Sequence, residues 1–313
     1  MNFTWVYVCA SVILFVALLW LLITYLAYRR AFYSSTKRDE DIHDIPDGEQ
    51  YNKARDVMIA LIDEMDALPY ERVYTTSHDG LKLSARYYHL SDDAPLQIQF
   101  PGYRGSSVRD FCGGHKLARE YGFNTLVVDQ RAHGMSEGTT ITFGINERHD
   151  CLRWIEYACE RFGNIDIHLA GVSMGAATVL LAAEFDLPDN IKGIIADCPY
   201  SAPADIIKKV IKDMKLPPKI AYPFASMGAK IFGKFDLNSA SVVEAIKKAT
   251  KPILIIHGEE DKLVPCDMSK KIETAAQGKA TFVSFPNAGH GISYIEDPNR
   301  YAEVVSSFLA SCK

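Results

Sequence analysis

No two of the seven cysteines stand at C-x-x-C spacing, which removes the usual zinc and thiol-redox signatures. They are odd in number and scattered (Cys9, Cys112, Cys151, Cys159, Cys198, Cys266 and Cys312), and a chain of 313 residues needs no disulfide framework, so reduced and mostly buried thiols are expected. H-E-x-x-H is absent and the histidines are dispersed, so no metal is expected. Basic runs interleaved with aromatics are missing, and the net charge of -5 is small for this length, which excludes nucleic acid as a partner. Repeats and low-complexity blocks are absent as well, while 48% hydrophobic content is enough for one large core or two small ones.

Charge is also missing from the amino terminus. Trp5 to Tyr28, WVYVCASVILFVALLWLLITYLAY, carries no Asp, Glu, Lys, Arg or His, and it exceeds the roughly 20 apolar residues that cross a bilayer as a helix. A cleaved signal would want a basic start, a shorter apolar core and a small-residue cleavage site, and Met1–Thr4 and Leu26–Arg29 provide none of these. Residues 5–28 are therefore expected to be an uncleaved transmembrane helix. Arg29, Arg30, Lys37 and Arg38 all follow it and no basic residue precedes it, so the large domain is expected on the cytoplasmic side of the cell membrane.

Residues 29–50 are polar after the first few and hold a proline and a glycine without apolar period, the composition of a linker. Residues 51–69 place Val57, Met58, Leu61, Ile62 and Met65 at helical spacing, which predicts an amphipathic helix leading into a domain over 70–313. There, RVYTTS and LKLSARYYH flank the turn signal Asp79-Gly80, and LQIQF, NTLVVD, IDIHLAG, IKGIIAD, KPILIIHG and ATFVSF follow as further strands. Helical patterns near 107–121, 146–162, 174–186, 239–249 and 267–277 fill the gaps. The alternation predicts an α/β fold with a mostly parallel, doubly wound sheet covered on both faces, in which chemistry sits at the carboxyl ends of the strands.

One such end reads LAGVSMGAA, residues 169–177. A strand turning sharply into a helix brings flanking backbone together, so only glycine fits at 171 and 175, and the turn lifts the Ser173 hydroxyl to the top of the sheet. A serine attacks only when a base takes its proton and a carboxylate orients that base. Asp261 follows KPILIIHG, and His290, between two glycines, follows ATFVSF. Glu259, Glu260 and Asp197 compete with Asp261 for the acid role, and His257 and His133 compete with His290, although both fit better as loop supports. Two backbone donors for an oxyanion are expected from Met174 and, in the bend PGYRGSS, from Tyr103. A triad needs no cofactor, and the glycines near Ser173 do not form a dinucleotide-binding pattern.

With PGYRGSS, VVDQRAHGMSEG, LAGVSMGAA, IIADCPYS, IIHGEEDKLVP and PNAGHG in that order, the chain from about 70 to 310 resembles the α/β-hydrolases. It looks most like the bacterial serine aminopeptidase-like and lysophospholipase-like branch, some members of which carry an amino-terminal anchor. The resemblance implies the nucleophile elbow at Ser173, the chain order Ser173, Asp261, His290, and an acid placed shortly before Val264-Pro265, as Asp261 is. Relatives commonly have His-Gly at the oxyanion bend where this chain has Pro101-Gly102.

Residues from about 200 to 248 are expected to form a small helical lid. PADIIKKVIKDMK has Ile206, Ile207, Val210, Ile211 and Met214 on one face, and residues 201–251 hold ten lysines against Asp205, Asp213, Asp236 and Glu244. This charge suits contact with anionic lipid head groups, with merely solvated lysines as the plainer reading. The expected function is a membrane-anchored serine hydrolase that cleaves carboxylic esters of small-molecule or lipid substrates through an acyl-enzyme. An amidase, thioesterase or peptidase is the alternative within the chemistry, and a peptidase is disfavoured by the few acidic groups in the lid. A catalytically silent membrane-tethered binding protein is the alternative outside it.

Overall fold

The computed structural model describes residues 4–35 and 42–312, so Lys37 and Arg38, counted above for orientation, lie outside the described residues. The helices are α1 (Thr4–Ala31), α2 (Glu49–Asp66), α3 (Ser107–Glu120), α4 (Glu147–Phe162), α5 (Met174–Ala182), α6 (Pro203–Asp213), α7 (Pro218–Ile231), α8 (Val242–Lys248), α9 (Asp267–Ala275), α10 (Ser293–Glu296) and α11 (Pro298–Ser311). The strands are β1 (Glu71–Thr76), β2 (Lys82–Tyr88), β3 (Leu96–Phe100), β4 (Asn124–Asp129), β5 (Ile167–Val172), β6 (Ile191–Asp197), β7 (Ile253–Gly258) and β8 (Ala280–Phe285).

All eight strands join one sheet in the order β1-β2-β4-β3-β5-β6-β7-β8. The hairpin strand β2 meets both β1 and β4 antiparallel, and from β4 to β8 every pairing is parallel. Continuous apolar runs are what a sheet covered on both faces requires. Successive residues duly enter opposite cores: Leu169, Ile194 and Ile255 face the layer of α4, α5, α8 and α9, whereas Ala170, Ile195 and Leu254 face that of α2, α3 and α11.

The lid region holds α6 and α7, while α8 packs against α5 and α9 as part of the helical layer. Against the expectation of a simple cover, α7 packs along α1: a Cβ on Gly228 would lie 2.8 Å from the Thr24 carbonyl oxygen, so glycine permits the close approach. Residues 29–35, read as linker, are largely structural. Phe32 is fully buried, with its ring 5.8 Å from Phe143 and 5.3 Å from Phe235. Its carbonyl accepts from Ile141, and the Ser34 N–H donates to the Thr139 carbonyl.

Candidate active site

Ser173 stands between β5 and α5 with φ 56°, a left-handed conformation that costs a serine energy and needs tight surroundings to persist. Those surroundings are backbone. A Cβ on Gly171 would come within 2.3 Å of Gly175, and one on Gly175 would come within 1.7 Å of the Phe100 carbonyl oxygen. The Ser173 N–H donates to the Asp197 carbonyl at 2.8 Å, fixing the turn to β6.

The structure brings the three expected side chains together. Ser173 Oγ lies 2.9 Å from His290 Nε2, and His290 Nδ1 lies 2.6 Å from Asp261 Oδ2. The second oxygen of Asp261 accepts the N–H groups of Leu263 and Val264 at 2.9 and 2.8 Å. Burial alone would raise this carboxyl, but the facing His290 and His257 rings outweigh it and hold it well below the usual carboxylate range. An ionised Asp261 accepting at Nδ1 fixes the tautomer that leaves Nε2 free to accept the serine proton.

The rivals occupy supporting positions. His257 is fully buried beneath Asp261, 3.2 Å from Oδ2, and bonds Ser269 Oγ and the Val264 carbonyl. His133 accepts the Arg104 N–H at Nε2, 2.9 Å away, and contacts the Arg131 carbonyl through Nδ1, so it braces the bend after β3. Asp197 is buried and accepts from the Tyr301 hydroxyl; burial pushes its carboxyl up to about 6 against the opposing pull of His257 and His290. Glu259 is turned outward to Ser284.

Met174 is the first residue of α5, where the helix itself leaves the N–H unbonded. Tyr103 follows Gly102, whose added Cβ would lie 3.4 Å from Ser173 Cβ, so this bend passes directly over Ser173. Asp110 takes the Gly102 N–H at 2.8 Å, and Gln130 donates to the Pro101 carbonyl at 2.5 Å. These contacts organise the bend around Pro101-Gly102.

A cavity of about 510 Å³ opens at Ser173 and His290. It runs beneath α2 and α3 past Cys112, Ala118, Ala170, Ile195 and Val305, and its solvent-exposed lining residues Pro46, Lys262 and Leu263 mark its mouth. The lid helices do not line it; α2, read from sequence as a lead-in, does. Three contributors escaped the sequence reading. Tyr51 donates to the His290 carbonyl at 3.0 Å and Gln50 accepts the His290 N–H at 3.2 Å, both from α2, and Cys198 places a buried thiol beside Asp261 and His290. No local motif marks them, because each acts from a distant element.

His78, Asp79 and Asp150 also converge, but the Arg131 guanidinium bonds both carboxylates at 2.7–3.1 Å and already supplies their positive charge.

A family model described as the alpha/beta hydrolase fold matches residues 98–230, and one described as the dienelactone hydrolase family matches residues 219–306. An uncharacterised Bacillus subtilis protein, YqkD, is 29% identical over 197 residues, covering 62% of this chain and 64% of its own. The bifunctional esterase/perhydrolase of Acinetobacter calcoaceticus is 23% identical over 280 residues, covering 75% of this chain and 97% of its own. The lysophosphatidylserine lipase ABHD12 of Danio rerio is 24% identical over 263 residues, covering 78% and 61%. Thus the chain spans under two thirds of the Bacillus and Danio relatives. Among solved structures, a Pyrococcus furiosus esterase superposes with a TM-score of 0.65 at 20% identity, covering 89% of this chain and 98% of its own.

Proposed function

The chain belongs to the α/β-hydrolase superfamily, and from that premise we propose that it is a membrane-anchored serine esterase. The observation that carries this reading is the relay from Ser173 Oγ through His290 to Asp261, at 2.9 and 2.6 Å. His290 Nε2 takes the hydroxyl proton as Ser173 Oγ bonds to the ester carbonyl carbon. The oxyanion is held by the N–H groups of Met174 and Tyr103, near the positive end of α5. Collapse expels the alcohol, which takes its proton from His290. Water, deprotonated by His290, then releases the acid from the acyl-enzyme.

The cavity beneath α2 and α3 is lined mainly by apolar groups and accepts an acyl chain. Anchoring is supported by α1, whose residues 4–23 are exposed and uncharged. A removable leader is disfavoured because Thr24 and Tyr28, inside α1, are buried against the domain. Arg29 and Arg30 favour a cytoplasmic domain.

Fluorophosphonate labelling of the full chain in detergent micelles tests the nucleophile. Label in the wild type and none in Ser173→Ala is expected, with ester turnover lost in parallel. A folded wild type that takes no label, or a Ser173→Ala variant that keeps it, refutes the assignment.

A further inference from the structure

Helix α7 continues the path of α1 toward its apolar end. The ring of Phe232, just past α7, packs edge-on to Tyr25 at 5.2 Å and tilted to Tyr28 at 5.8 Å, whereas Phe224 lies 6.2 Å from Trp20. The two helices therefore run antiparallel and side by side, with Gly228 against Thr24 at the centre. At the rise of an α-helix, Ile220 lies about 6 Å further along α1 than Phe224 does.

That depth falls within the bilayer if α1 spans it. A helix of 28 residues is about 42 Å long, whereas the hydrocarbon layer is about 30 Å thick. Its last two turns are used otherwise, since Thr24 and Tyr28 are buried against the domain. A span of roughly 20 residues beginning at Trp5 ends near Thr24, which sets Trp20 and its neighbour Phe224 at the inner edge of the hydrocarbon.

The α6–α7 hairpin is composed for that place. Met214, Leu216 and Ile220 are 50%, 46% and 64% exposed, and no Asp or Glu occurs from Met214 to Phe235. Lys212, Lys215 and Lys219 ring the tip, where long side chains reach back to phosphate while their stems stay in apolar surroundings. The start of α7 is Pro217-Pro218, two residues with no N–H, and the Pro217 carbonyl accepts from Ile220 and Ala221. Few backbone donors are thus left bare at a helix end that enters lipid.

Building on the anchored-enzyme reading, we propose that the tip of the α6–α7 hairpin is a second membrane-inserted element, seated in the anionic leaflet on the domain's side of α1. The hairpin also adjoins the cavity mouth, because Lys209 Nζ donates to the carbonyl of Lys262, which with Leu263 forms that mouth. An apolar ester leaving the leaflet beside α6 meets the opening without crossing bulk water.

The test uses the full chain with Cys9, Cys159 and Cys266 replaced by serine, reconstituted into phosphatidylcholine vesicles with a share of phosphatidylglycerol. A nitrobenzoxadiazole probe is attached at Ile220→Cys, Leu216→Cys, Val16→Cys or Lys271→Cys, and retained fluorophosphonate labelling shows that each variant is folded. Probes at 220 and 216 are expected to be quenched by doxyl-labelled lipid and shielded from iodide, as at 16, while 271 shows the reverse. Replacing Lys212, Lys215 and Lys219 by glutamine is expected to abolish the difference in quenching between anionic and neutral vesicles. Iodide quenching at both 216 and 220, with 16 in lipid, overturns the hairpin proposal and leaves the anchor standing. Iodide quenching at 16 as well overturns both. An unchanged difference in the lysine variant overturns the anionic preference.

Discussion

Tyr51 and His290 are joined by a hydrogen bond of 3.0 Å from the tyrosine hydroxyl to the histidine backbone carbonyl. The loop that carries His290 is thereby held from α2, outside the strand-and-helix frame that carries Ser173 and Asp261. Gln50, one residue earlier, crowds the same loop so closely that a Cβ on Gly289 would meet its amide oxygen at 1.9 Å.

Tyr51→Phe removes that bond and little volume. A single hydrogen bond contributes about 0.5–1.5 kcal/mol, so kcat/KM is expected to fall roughly 2- to 10-fold and the thermal midpoint by at most about 4 °C. Steady-state hydrolysis of a soluble ester, set beside a melting curve, reads both. Unchanged kinetics would mean that α2 merely covers the loop.

The two buried aspartates should separate sharply in function. Asp261→Asn keeps the shape but presents the wrong hydrogen-bonding group to His290 Nδ1, and kcat is expected to drop about 10,000-fold. Asp197→Asn retains an acceptor for the Tyr301 hydroxyl and leaves untouched the backbone carbonyl that takes the Ser173 N–H, and the side chain itself bonds neither Ser173 nor His290, so fluorophosphonate labelling should persist. Reversal of these two outcomes would transfer the acid role to β6.

Stability should report the same difference through pH. The Asp197 carboxyl is raised to about 6 by burial, above its ordinary value, so the folded protein holds a proton there that the unfolded chain has released between about pH 4 and 6. Wild-type stability therefore declines as pH rises through that window, by on the order of 1–3 kcal/mol from this group. Asp197→Asn removes the penalty. Its melting temperature should exceed the wild type's at pH 8 and converge with it near pH 4, as thermal denaturation at both pH values will show. Asp261 works with the opposite sign: its depressed value stabilises the fold above the ordinary carboxylate range and gives way only as pH falls below it.

Much of the fold and the centre of the site were legible because they depend on local pattern. The apolar runs of β3 to β8 announce a sheet covered twice, and the spacing of Gly171, Ser173 and Gly175 announces a sharp turn with no room for side chains. Tyr51 and Gln50 carry no signal for the site because their partners are backbone groups of a remote loop, and backbone leaves no residue-type signature, whereas His133 supports a loop as its motif suggests. The lid helices depart from expectation for a related reason. An amphipathic helix states that one face is covered but not by what, so α2 read as a lead-in and α7 as a cover for the cavity.

The last turn of α1 touches the bend that passes over Ser173. A helix ends with unpaired carbonyls at its negative pole. Here the Ala31 carbonyl accepts from the Tyr103 hydroxyl at 2.8 Å, and those of Arg30 and Tyr33 accept from the Arg104 guanidinium at 3.1 and 3.0 Å. Tyr103 also stacks on Phe143, which packs edge-on against Phe32, so the bend over Ser173 is braced from one side by the end of α1. Tyr103→Phe keeps the backbone N–H but frees the bend from the Ala31 carbonyl. An oxyanion donor acts in the transition state, so kcat should fall several-fold with KM little changed. Phe32→Ala should cost about 3–5 kcal/mol of stability through the cavity it leaves. Enzyme lacking residues 1–35 should then resemble Tyr103→Phe in kcat even toward a freely soluble ester, where membrane delivery is irrelevant. Full activity of that truncated enzyme would show the contact to be structural packing alone.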